Sequence, residues 1–109
     1  MEQDQSWDIL IIMQTKDQTL TILKQIKDQL RAQYKAKALW IFGSLVRGEN
    51  TSLSDIDILV DFDEGADLFT LIGLNDFLEE KLGQKVDLVS LRVLRPEIKD
   101  QVFQEMIAI

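Results

Sequence analysis

Ala38-Leu39-Trp40-Ile41-Phe42-Gly43-Ser44-Leu45-Val46-Arg47-Gly48, followed five residues later by Ser54-Asp55-Ile56-Asp57-Ile58-Leu59-Val60, are the two runs whose reading decides the fold. The first begins as a short apolar stretch of aromatic and branched residues and stops at a glycine. That is the pattern of a buried strand running into a tight turn. In the second, Ile56, Ile58, Val60 and Phe62 alternate with Asp57, Leu59, Asp61 and Asp63. Successive side chains of a strand point to opposite faces, so this is a second strand with one apolar face.

Working outward, the stretch from about Thr15 to Lys37 places Leu20, Leu23, Ile26, Leu30 and Tyr34 at spacings of three and four, the stripe of an amphipathic helix. Asp67 to Leu82 reads as a second helix, with Asp67 as N-cap and Gly83 as its stop. Leu68, Leu71, Ile72, Leu78 and Leu82 are expected on its buried side. Val86 to Val89 is a third strand. Pro96 opens a final helix, where Ile98, Val102, Phe103 and Met106 are expected to face inward. The resulting order of elements predicts an α+β domain, a small sheet of three or more strands with helices packed against it. Ahead of it, Trp7 and Ile9 to Met13 form an apolar patch, expected as a short helix over the core, the alternative being a partner-binding surface.

The chain has 109 residues and a formal charge of −7, with 46% hydrophobic residues. One domain spanning 1–109 is expected, divided into an apolar extension over 1–14 and a core over 15–109. The acidic balance argues against direct nucleic-acid binding through phosphates, which needs clustered Lys and Arg. With no cysteine and no histidine, thiol chemistry, imidazole acid–base catalysis and histidine-bound metals are excluded. The N-terminus is acidic where a signal peptide is basic, and the apolar run Ile9 to Met13 is too short to span a bilayer, so a cytoplasmic location without membrane association is expected.

Carboxylates, hydroxyls, Lys, Arg and backbone groups remain for any chemistry. Gly43-Ser44 suits a turn whose backbone N–H groups point at an anion, and Arg47 stands about one turn further on. Gly43 and Gly48 have the spacing of a Walker A loop, but Glu49 and Asn50 replace its Lys and hydroxyl residue, so this is no P-loop. Asp55 and Asp57 share one strand face, roughly 7 Å apart, an arrangement that is unfavourable unless a cation joins them. A calcium loop is rejected because Leu59 stands at its third ligand position. Asp87, alone in an apolar strand, is costly to bury without a partner, and a neighbouring strand could bring it to the same spot.

The combination is more specific than its parts. Phe42 to Gly48 followed by Ser54 to Val60, with a later lone Asp87, resembles the minimal nucleotidyltransferase branch of the polymerase-β-like nucleotidyltransferase superfamily. The likeness covers about Thr15 to the C-terminus and is strongest from Leu39 to Val60. It implies that superfamily's fold, a small mixed sheet flanked by helices. It also implies that Asp55, Asp57 and Asp87 hold two Mg²⁺ ions, and that Gly43 and Ser44, with Arg47 in support, take the phosphates of ATP. Members of this branch are often antitoxins paired with a HEPN-domain ribonuclease toxin. By the same resemblance the chain would add AMP to a tyrosine of such a partner, forming a hetero-oligomer with it. A non-catalytic antitoxin that acts by binding, or a nucleotidyltransferase acting on a small molecule or an RNA end, are the alternatives. Tyr34, the only tyrosine, is expected as a helix core or edge residue rather than a self-modification site.

Overall fold

A computed structural model describes residues 15–109 except Ser52, so the apolar segment Trp7 to Met13 lies outside the described residues. Helix α1 (Lys16–Tyr34) starts at a capping box: the Gln18 N–H donates to Thr15 Oγ1 and the Thr15 N–H to Gln18 Oε1, each at 3.1 Å. It ends three residues earlier than the expected Lys37, because Lys35 adopts a left-handed conformation (φ 59°). The Lys35 carbonyl then accepts from the Asp63 N–H at 2.8 Å, and Ala36 and Lys37 join the first strand.

Strand β1 (Ala36–Phe42) leads through Gly43 into a single-turn helix α2 (Ser44–Arg47), and then comes β2 (Ile56–Phe62). Helix α3 (Leu68–Leu82) begins at a capping box between Asp67 and Thr70 and stops at Gly83, which takes φ 66°, as expected from the cap residues. Strand β3 (Val86–Ser90), a 3₁₀ turn (Leu91–Val93), helix α4 (Pro96–Glu105) and a short β4 (Ile107–Ala108) complete the chain.

The four strands form a mixed sheet in the order β3-β2-β1-β4. Strand β1 runs antiparallel to β2 and β4, whereas β2 and β3 are parallel. Helix α3 is the crossover that a parallel pair requires. Alternation along the strands sends side chains to two cores. On one face Leu39, Ile41, Ile56, Ile58 and Val60 pack with Leu23 and Leu30 of α1 and Leu74, Leu78 and Leu82 of α3. On the other, Leu59, Leu94 and Val102 are buried together, with Trp40, Phe42 and Val89 against them. Leu59 therefore anchors a second core on the face expected to be polar.

Two expectations about helix faces fail. Leu68 and Ile72 are 65% and 50% exposed, and Leu74 takes the central buried position of α3 instead. On α4, Val102 is buried, while Ile98 and Phe103 are each 42% exposed. Among the described residues no helix is long and apolar enough to cross a membrane.

Candidate active site

The sheet register assembles the acidic residues. In the antiparallel pair Phe42 lies opposite Asp57, and in the parallel pair Asp57 lies opposite Asp87. Directly paired residues send their side chains to the same face. Asp57 and Asp87 therefore stand side by side on the face that carries Leu59, Val89 and helix α4. Asp55 lies two residues before Asp57, just ahead of β2, and is exposed.

Its approach is fixed by hydrogen bonds. Ser54 Oγ accepts from the Thr51 N–H at 2.9 Å, the Gln84 side-chain amide donates to the Ser54 carbonyl at 2.7 Å, and the Ile56 N–H donates to the Lys85 carbonyl at 2.9 Å. The loops before β2 and β3 are thus tied together, which holds the starts of both strands level.

Burial pushes the Asp57 carboxyl up to about 6, and repulsion from Asp87 and then Asp55 adds to the shift. A hydrogen bond with Asp87 contributes, and Arg47 partly opposes it. Three carboxylates with one nearby guanidinium leave an excess of negative charge that a cation would relieve. Among the described residues no group of three or more acidic side chains is already arranged to hold a metal ion. The donor set, carboxylate oxygens only, has the chemistry of a site for a hard divalent ion that keeps water and phosphate oxygens in its remaining positions.

The Gly43 turn lies against this cluster. Gly43 adopts φ 78° and ψ −152°, a region essentially reserved for glycine. A Cβ placed on it would collide with Asp57 Oδ2 and come within 3.0 Å of Asp57 Cγ. The glycine is required here because a carboxylate occupies the space a side chain would need. Gly48 closes the single-turn helix α2 with φ 74°. Ser44 is half-buried at the start of that turn, and Arg47 extends from its end.

Arg47 is held by two acids. Its Nε donates to Glu49 Oε1 at 2.9 Å and its Nη1 to Glu105 at 3.0 and 3.1 Å. These contacts, Glu49 first, raise the guanidinium pKa. Glu105 Oε2 also accepts from the Gly43 N–H at 2.7 Å. The structure thus brings all six residues singled out in the sequence to one end of the sheet and adds Glu105, which sequence reasoning missed. An acid ending an amphipathic helix reads as a solvated residue, and its partner Gly43 lies 62 positions earlier.

Residues 23–109 match the nucleotidyltransferase domain model. The chain belongs to that family and is a nucleotidyltransferase of the minimal, polymerase-β-like kind. It is 40% identical over 95 residues to protein adenylyltransferase MntA of Thermococcus cleftensis, covering 87% of this chain and 96% of that one. Among solved structures, it superposes on a chain of a toxin–antitoxin crystal structure with AMP-PNP with a TM-score of 0.65 at 29% identity, covering 83% of this chain and 70% of that one. It also superposes on a chain from the complex of tri-AMPylated Shewanella oneidensis HEPN toxin with its MNT antitoxin, with a TM-score of 0.61 at 26% identity and the same coverages.

Proposed function

We propose that this chain is an antitoxin that transfers AMP from ATP, in the presence of Mg²⁺, to a tyrosine of a HEPN-type toxin. The observation that carries the reading is the row Phe42–Asp57–Asp87 across the sheet, with the Gly43 turn pressed against Asp57. The likeness to MntA and to the MNT–HEPN complexes supports the choice of acceptor.

In this reading the Gly43-Ser44 turn and Arg47 receive the β- and γ-phosphates. Asp55, Asp57 and Asp87 would hold the divalent ions, which when bound would supply charge neutralisation for the phosphates and for the attacking and leaving oxygens. The tyrosine oxygen attacks the α-phosphorus and its proton passes to Asp87. The bond to the β-phosphate oxygen breaks and pyrophosphate leaves. Positioning and charge neutralisation supply most of the rate, so the reaction needs no histidine.

Intact-mass measurement after incubation with ATP, Mg²⁺ and a HEPN-type toxin tests this. Increments of one AMP on the toxin are expected with the wild-type chain and none with Asp55→Asn/Asp57→Asn. Absence of any increment, or equal increments with the double variant, overturns the reading. The exposed apolar side chains Leu68, Phe69 and Val93 favour a second reading, neutralisation by docking alone. In that case the double variant still protects toxin-producing cells; under the catalytic reading it binds the toxin but no longer protects.

A further inference from the structure

The single carboxylate of Glu105 touches both halves of the proposed phosphate-binding turn. One oxygen accepts from the Gly43 N–H at 2.7 Å, a length typical of a charge-assisted bond. Both oxygens lie 3.0–3.1 Å from Arg47 Nη1. Its side chain is only 16% exposed, against 38% for Arg47, so the pair faces solvent on the arginine side.

A guanidinium carries five donors in a rigid fork. Glu49 takes the Nε edge and Glu105 takes Nη1. No acceptor among the described residues engages Nη2. Nε–H and Nη1 point to different sides of the guanidinium, so the two acids hold it from both sides and leave the Nη2 donors between them available, while Arg47 is close enough to lower the Asp57 pKa. The Gly43 N–H is already taken, so Gly43 serves an incoming phosphate through its missing side chain, which lets Asp57 and the turn approach each other.

We propose that Glu105 is a positioning residue for the triphosphate: it pins the Gly43 turn and fixes Arg47 so that its Nη2 donors meet the phosphates. It sits two residues before β4, whose Ile107 and Ala108 pair with Ile41 and Trp40. The carboxylate is therefore anchored to the same strand that ends in the turn it holds. The opposite role, a plug that phosphate must evict, fits its position less well. Its contact with Gly43 is made by a largely buried carboxylate, and its contact with Arg47 leaves the Nη2 donors to spare.

This inference rests on the nucleotide-binding reading above, and direct nucleotide titration separates the two. Full-length wild type, Glu105→Gln, Arg47→Ala and the double variant are titrated calorimetrically with a non-hydrolysable ATP analogue and Mg²⁺, with melting curves in parallel. Glu105→Gln keeps the shape and an acceptor for the Gly43 N–H but loses the negative charge that faces Arg47. It is expected to stay folded and to bind the analogue about tenfold more weakly, in line with the loss of one charge-assisted contact. In the Arg47→Ala background the same change is expected to cost nothing further, which a general structural role would not produce. Unchanged or tighter binding by Glu105→Gln, losses that simply add, or failure of Glu105→Gln to fold each overturn the proposal. If wild type binds no analogue, the adenylyltransferase reading falls and this inference falls with it; if wild type binds and Glu105→Gln matches it, only the role of Glu105 is lost.

Discussion

A carboxyl group whose charged form is disfavoured by its surroundings weakens the fold at every pH where it is ionised. Asp57 is such a group, with its pKa pushed up to about 6 from 3.8 by burial and by Asp87 and Asp55. Between those values the folded chain holds a proton that the unfolded chain has released. Its contribution to stability therefore declines as pH rises through this window and stays unfavourable above 6. Asp57→Asn is expected to raise the melting temperature of the metal-free protein at pH 7. The gain is on the order of 1 kcal/mol once solvent screening is allowed for, and it vanishes near pH 4. Melting curves at the two pH values, in chelator, check this; a variant less stable than wild type at pH 7 contradicts it. The same substitution is expected to abolish AMP transfer, so function and stability pull against each other here. Such residues are legible in a sequence because acids repeated at strand spacing in an apolar run stand together with the Gly43-Ser44 turn and a later lone Asp87, a combination more specific than its parts. Glu105 was not legible, since its importance comes from a partner that only the folded chain brings close.

At the scale of elements, ends were easier to read than faces. Thr15, Asp67, Gly83 and Pro96 each act locally, through caps and fixed backbone angles, and their helices begin or stop beside them. The buried face of α3 was misread because apolar residues surround its first two turns. A helix apolar on more than one side has a stripe that periodicity cannot orient. Packing against β2 and α1 selects Leu74, Leu78 and Leu82 and leaves Phe69 82% exposed. Leu74→Ala is accordingly expected to destabilise the chain by about 2–5 kcal/mol, because the cavity it leaves is fully enclosed. Phe69→Ala is expected to stay within about 0.5 kcal/mol. Urea unfolding of the two variants distinguishes these outcomes, and comparable losses would contradict the placing of Leu74 on the buried face and Phe69 on the exposed one. Strand β4 escaped notice for another reason. Two residues have no periodicity of their own, and they become a strand only because β1 offers an open edge.

Taken as a whole, the molecule places its antiparallel pair β1–β2 at the centre of the sheet and its parallel strand β3 at one edge. Central strands are paired on both sides, whereas an edge strand has one free row of backbone groups. Native-state hydrogen exchange is expected to be slowest in the middle of β1 and β2 and faster in β3 and β4. Equal protection across all four strands would contradict this ordering. The alternating pattern of β2 and the apolar runs of β1 and β3 made the sheet legible, but strand order was not, because pairing across α3 depends on the whole chain. That long-range pairing has a consequence for when the protein becomes active. Thirty residues separate Asp57 from Asp87, and only the closing of β3 onto β2 makes them neighbours. Long loop closures of this kind come late in folding. A newly made chain with β1 and β2 already paired would hold the Gly43 turn against Asp57 yet lack its third carboxylate. With Asp87 in the role proposed for it, catalytic competence would serve as a built-in report of completed folding, withheld until the sheet has gained its outermost parallel strand.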